Sequence, residues 1–249
     1  MTEAAVVKPD KTSGEHQSIT NRAYVEIRSA LISCRLKPGS RLKVVQLQRD
    51  LDVSQAAVRE GLSRLAAEGL VTMERNSGFR AAPVSAEGYR ELADACLTIE
   101  LPLLCSSIKN SDFEWEGAML SAYHVASRVL AHVNDDASSM DAYVRHREEF
   151  HRTLFSKCDN QWLLWSWSLL YTQQLRYRHT FRQLAEYERG LHEDYRQFLD
   201  AVIEHDVKTA VALWCENHEK VAQFIESTVA TSIAGSFRHC SFSWFQQVR

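Results

Sequence analysis

The stretch DVSQAAVREGLSRLAAEGLV (52–71) decides the N-terminal fold. Asp52-Val53 predicts a tight turn. Ser54 stands where an N-cap belongs, so Gln55–Glu68 reads as a helix. Ala57, Val58, Leu62 and Leu65 recur at helical spacing and predict its buried face. Ser54, Gln55, Arg59, Ser63 and Arg64 point the other way, and Gly69 is a natural stop. Upstream, Ala23, Ile27, Ala30, Leu31 and Cys34 share one face of a helix that begins at Ser18 and is stopped by Lys37-Pro38-Gly39. A short second helix follows over Lys43–Leu51, with Val44, Leu47 and Leu51 inward. Downstream, Leu70–Glu74 and Phe79–Val84 read as extended segments joined by Arg75-Asn76-Ser77-Gly78, a small hairpin. Three helices and a hairpin predict a winged helix-turn-helix. In that layout the third helix packs on the other two and offers its polar face to the major groove of DNA.

Charge supports this division. Residues 1–84 hold thirteen basic and nine acidic side chains, a net of +4, whereas residues 85–249 are −7, giving −3 for the 249-residue chain. A basic head on an acidic remainder suggests two domains, the first with a polyanionic partner. All six tryptophans lie beyond residue 84, which points to two separate cores. The 45% hydrophobic and 24% charged content excludes a disordered chain and a histone-like one. Nine glycines and four prolines argue against an all-β fold. No apolar run reaches the roughly 18 residues of a membrane span, and residues 1–17 read as a polar, mobile tail without a secretion signal. The six scattered cysteines lack a CxxC pair and read as reduced thiols of a cytoplasmic protein.

Beyond Pro83 and Ser85 the chain reads as helical to about residue 230. The expected helices are 86–108, 112–133, 139–157, 160–182, 185–204 and 206–230, an antiparallel bundle with short connections. The predicted fold is therefore mainly α: a winged helix-turn-helix over 18–84 and an all-helical bundle of about six helices over 85–230. Residues 231–249, with Phe237, Phe242, Trp244 and Phe245, form an aromatic extension.

Residues 38–78 resemble the DNA-binding domain of GntR-type bacterial regulators. The match runs through PGSRL (38–42), LQRDLDVSQAAVREGLSRLAAEGLV (47–71) and NSGF (76–79). Asp52 stands where the family has Gly, and Gly61 where it has Ala. The helical remainder resembles the FCD domain of the FadR subgroup, through Glu149-Phe150-His151 to Asn160, Phe198–Asp206 and Glu100. The resemblance implies a homodimeric, effector-responsive transcription regulator bound to a palindromic double-stranded operator, most commonly a repressor released by ligand. The expected DNA contacts are Arg41, Ser54, Gln55, Ala56, Arg59, Arg64, Arg75, Asn76, Gly78 and Arg80.

Many family members hold a divalent metal such as zinc with Asp-x3-His on one helix and a histidine on each of the last two. The corresponding residues here are Arg147, His151, Tyr195 and Asn217, so three of four ligands are missing, and Cys96 replaces an arginine one turn before Glu100. A metal would need a rebuilt site around His151 with His192 or His218. Without metal, Tyr143, Arg147 and His151 share one helical face, and Tyr195 and Asn217 would project toward them by the resemblance. A guanidinium fork suits a carboxylate. The expected effector is thus a small organic acid, with the many aromatics favouring an aromatic one. The Arg176-Tyr177-Arg178 run reads as a solvated face, and the Trp162–Trp167 cluster as core or dimer interface. Two alternatives remain at this point: a DNA-binding protein with a non-functional pocket, and a metal-dependent hydrolase, which the missing ligands and the lack of a nucleophile motif count against.

Overall fold

The structure, a computed structural model, describes residues 11–74, 78–133, 137–181 and 183–236; the side chains of 11–18, 74, 137, 192–193 and 229–236 are not described. It divides into two compact units, Met1–Pro83 and Val84–Arg249.

The first unit is built from helices α1 (Lys11–Ile32), α2 (Val44–Leu51) and α3 (Gln55–Ala67), with strands β1 (Arg41–Leu42), β2 (Val71–Glu74) and β3 (Gly78–Ala81). Ser54 caps α3, its hydroxyl accepting from the Ala57 N–H at 3.1 Å. Asp52 takes up the left-handed turn conformation (φ 49°) between α2 and α3, where a side-chain carboxylate is tolerated better than most. Gly69 does the same at φ 72° as the chain leaves α3. Ala57, Val58, Leu62 and Leu65 are buried with Ala23, Ile27, Leu31, Leu47, Leu70 and Phe79 in one core. Gly61 lies where α1 crosses α3: a Cβ there would stand 3.3 Å from the Tyr24 backbone nitrogen, so glycine allows the close approach.

Three expectations change here. Helix α1 begins at Lys11, not Ser18, because a nucleated helix adds polar turns beyond its packed face. The hairpin gains a third strand, β1, in the order β1-β3-β2, with Arg41 opposite Arg80 and Leu42 opposite Phe79. Two residues are too few to show alternation. The last strand ends at Ala81, before Pro83, and residues 82–84 are not strand.

The second unit is an all-helical bundle of α4 (Ala86–Lys109), α5 (Phe113–Leu130), α6 (Ala137–Phe155), α7 (Gln161–Thr180), α8 (Gln183–Gly190), α9 (His192–Ile203) and α10 (Val207–Ser236). Ser85, Asp112 and Asn160 cap α4, α5 and α7. Helix α4 packs on α7 and α10, α5 on α6, and α9 on α10. Neighbours run antiparallel. Arg90 near the start of α4 pairs with Glu219 and Glu226 in the middle and later part of α10, and Trp115 at the start of α5 donates to the Thr153 carbonyl near the end of α6. The single helix expected over 185–204 is two, α8 and α9, because Gly190 interrupts the run and Leu191 leaves helical geometry. The last helix continues to Ser236. The remainder of the aromatic extension lies outside the described residues.

Arg176 and Arg178 overturn the reading of a solvated face, for both are buried. Helix α7 is enclosed by α4 and α6 over 171–178, so its apolar face is not its only inward one. Its tryptophans divide. Trp167 is buried against Phe155 and Tyr171, whereas Trp162 is 77% exposed.

Candidate ligand pocket and nucleic-acid interface

In the first unit, Arg59 stands on the outer face of α3, exposed and without a hydrogen bond or ion pair among the described residues. With Arg41, Lys43 and Gly78 it lines a shallow basic cleft. Ser54, Gln55 and Ala56 are exposed at the start of α3. The Ser54 hydroxyl serves as the cap, and Gln55 donates to Gln48 at 3.4 Å. Two arginines are committed elsewhere. The Arg64 guanidinium lies 4.0 Å over the Tyr24 ring of α1, and Arg80 donates to the Gly39 carbonyl at 2.7 Å, tying the wing to the Lys37-Pro38-Gly39 turn. Arg75 and Asn76 lie outside the described residues.

In the second unit, α5, α6, α8 and α9 enclose a cavity of about 470 Å³. Tyr143, Arg147 and His151, one turn apart on α6, line it together with Tyr195 of α9. Tyr123, Leu130 and Phe150 supply apolar walls, and Arg128 and Arg189 also line it. Asn217 is buried but does not line this cavity, and its side-chain amide has no partner among the described residues.

Arg147 is buried yet loosely held. It donates to the Tyr171 hydroxyl at 3.1 Å and to the Tyr195 hydroxyl at 3.5 Å, and stands 3.5 Å from the Glu188 carboxylate. Glu188 is held more tightly by others: Tyr143 donates to it at 2.5 Å and Arg178 at 3.1 Å. Burial alone would raise the Glu188 carboxyl pKa; Arg178, Arg147 and the Tyr143 hydroxyl reverse that and hold it below the usual carboxylate range. Glu188 and Arg178 belong to this site and were missed in the sequence. The first was hidden inside a supposed longer helix and the second inside a supposed surface run.

His151 has no partner for either ring nitrogen among the described residues. Burial, then the charges of Arg147, Arg178 and His218, hold its pKa well below the usual imidazole range, so it is neutral at neutral pH. Behind it, buried Glu100 accepts from Trp214 at 3.0 Å and pairs with His218 at 2.8 Å.

The FCD domain model matches residues 91–220, and the model of bacterial regulatory proteins of the gntR family matches residues 19–80. The chain belongs to the GntR family. This GntR-family protein is 30% identical over 198 residues to the HTH-type transcriptional regulator BphR of Paraburkholderia xenovorans, covering 79% of this chain and 81% of that one. It is 26% identical to the HTH-type transcriptional repressor GlaR of Escherichia coli, covering 76% and 88%. Among solved structures, E. coli McbR/YncC superposes with a TM-score of 0.67 at 17% identity, covering 86% of this chain and 98% of that one. A putative GntR regulator from Rhodococcus sp. RHA1 reaches 0.68 at 20%, covering 89% and 100%. These matches make the GntR-family chain a transcriptional regulator and not an enzyme. None of its described helices is long and apolar enough to cross a membrane.

The metal that the FCD resemblance implies does not fit the donors present in this GntR-family pocket. Arg147 places a cation where a carboxylate would stand, Tyr195 presents a phenol, and Asn217 lies off the cavity. His218, one candidate for a rebuilt site, is engaged by Glu100. The other, His192, has no described side chain. Among the described residues no three His, Cys, Asp or Glu side chains are grouped to hold a metal ion.

The neutral His151 has a measurable consequence. Its native pKa is depressed, whereas the unfolded chain takes up a proton near pH 6.5. Stability conferred by the neutral ring is therefore complete above that pH and falls as the pH drops below it. Between pH 7.5 and 5.5 the wild type is expected to lose on the order of 1 kcal/mol more than His151→Gln. Thermal melts at both pH values check this, and equal losses in the two proteins would refute it.

Proposed function

We propose that this regulator is a repressor that binds a palindromic operator as a homodimer and is released when a small organic acid, with no metal, occupies the cavity of α5, α6, α8 and α9. The observation that carries the effector is Arg147. It is a buried guanidinium at the cavity wall whose contacts to Tyr195 and Glu188 are both long, at 3.5 Å. A carboxylate there would gain short, charge-assisted hydrogen bonds from the guanidinium, with His151 and Tyr195 able to complete its shell. Tyr123 and Phe150 suit an apolar or aromatic body. Repression is favoured by the relative named as a repressor. Release requires only that the ligand bind the DNA-free arrangement more tightly than the DNA-bound one.

The test uses an operator selected from random DNA by the full-length protein. Fluorescence anisotropy should report salt-dependent binding to it over unselected DNA. Titration with benzoate or butyrate should release the DNA, with calorimetry showing direct binding. Carboxylates that neither bind nor release DNA would sink the effector reading. About one metal per chain in protein purified without chelator or nickel would overturn its metal-free form.

A further inference from the structure

The carboxylate reading leaves open how many negative charges the pocket accepts, and the buried charges beneath Arg147 bear on that. Two guanidiniums, Arg147 and Arg178, converge on one carboxylate, Glu188. All three groups are almost fully buried, with side-chain exposures of 9%, 3% and 3%. They are not shared evenly. Glu188 Oε1 lies 3.1 Å from Arg178, a hydrogen-bonded pair, but 3.5 Å from Arg147, where the ion-pair geometry makes no hydrogen bond. Its Oε2 is taken by the Tyr143 hydroxyl at 2.5 Å. Glu188 hydrogen-bonds Arg178 and faces Arg147 only across a longer ion pair, so the two guanidiniums and one carboxylate leave a single net positive charge at this end of the cavity. The remaining lining arginines are spent or solvated. Arg189 donates to the Leu130 and Val133 carbonyls at 3.3 and 3.1 Å, and Arg128 is exposed to water.

We infer that Glu188 is a specificity residue that limits the Arg147 end of the pocket to a single carboxylate. A monocarboxylate brings the buried site to neutrality. A ligand with two adjacent carboxylates would place its second charge beside Glu188 without a free cation to meet it, and like charges in a desolvated site repel strongly. This deepens the organic-acid reading and rests on it.

The experiment compares matched probes by calorimetry on the full-length protein: benzoate against phthalate, and butyrate against succinate. In the wild type the monocarboxylate of each pair should bind at least about tenfold tighter. Glu188→Gln keeps the shape and one acceptor oxygen for Arg178, with the Tyr143 hydroxyl able to turn and accept from the new amide, but removes the charge, and should close or invert that gap by a further factor of about ten. Glu188→Gln with Arg178→Met removes both charges of the pair and should restore the wild-type order.

Wild-type protein that binds phthalate or succinate as well as its partner overturns the inference without recourse to any variant, so poor folding of Glu188→Gln cannot shelter it. So does a Glu188→Gln variant that binds all four acids more tightly by one common factor, the signature of a displaced internal competitor. Monocarboxylate binding that depends on Arg147 but keeps its preference in Glu188→Gln sinks this inference and leaves the organic-acid reading standing. Absence of binding by all four acids overturns both.

Discussion

Arg147→Ala is expected to bind operator DNA like the wild type and to ignore every organic acid that releases the wild type. A charge-assisted hydrogen bond contributes about 1.5–3 kcal/mol, so loss of a guanidinium should weaken effector binding by roughly tenfold or more if it makes one of them and by roughly a hundredfold or more if it makes two. The variant is a fair test because little else depends on Arg147. Its partners are Tyr171 and Tyr195 hydroxyls and a carboxylate at 3.5 Å that keeps Arg178 and Tyr143 without it. No buried charge is left unmatched, which is what makes deleting one member of a buried pair so costly elsewhere. Circular dichroism and a thermal melt establish that the fold persists, and anisotropy with labelled operator reads both functions in one titration. Arg147→Lys sharpens the result. It keeps the charge and loses the planar fork, so a response between those of wild type and Arg147→Ala separates bidentate recognition from simple attraction. An Arg147→Ala protein still released by the same acid at the same concentration would place the effector elsewhere.

The DNA-binding unit was readable in the sequence and half of the pocket was not, for one physical reason. Segments such as Gln55–Ala67 have one wet face and one dry face, so apolar spacing reports them directly; Val58, Leu62 and Leu65 are buried as the period requires. Tyr143, Arg147 and His151 were placed together by the same helical period, and they line one cavity. Helix α7 defeats that logic because it is enclosed over 171–178 and buries Arg176 and Arg178 among apolar neighbours. A buried arginine is recognisable only from its partner, and the partner, Glu188, comes from a different helix ten residues on. Gly190 carried the missing signal. A glycine inside a presumed twenty-residue helix marks the break that separates α8 from α9. Asn217 shows the opposite limit. Its place in a motif was legible, but whether it faces the cavity depends on the rotation of α10, which spacing alone does not determine.

Arg59→Ala should abolish operator recognition while leaving the fold and effector binding unchanged. Among the arginines of the winged unit its side chain is exposed on α3 beside Arg41 and Lys43 and has no partner among the described residues. Arg64 and Arg80, by contrast, are occupied by the Tyr24 ring and the Gly39 carbonyl. An arginine reading a base edge contributes about 1–3 kcal/mol, and the proposed dimer with two heads would lose it twice, so operator affinity should fall by roughly 30-fold to 10⁴-fold. The companion variants give the result its meaning. Arg41 is expected to meet a phosphate, so Arg41→Ala should weaken selected and random DNA alike and lower the salt dependence by about one counterion per head. Arg64→Ala should cost about 0.5–1 kcal/mol of stability through the lost cation–ring contact and leave the preference for operator over random DNA where it was. The decisive quantity is that preference, measured at fixed salt. If Arg59→Ala retains it while Arg64→Ala loses it, then the Arg64 guanidinium leaves Tyr24 when DNA arrives, and the reading surface of α3 lies a turn further along than its unpaired arginine indicates.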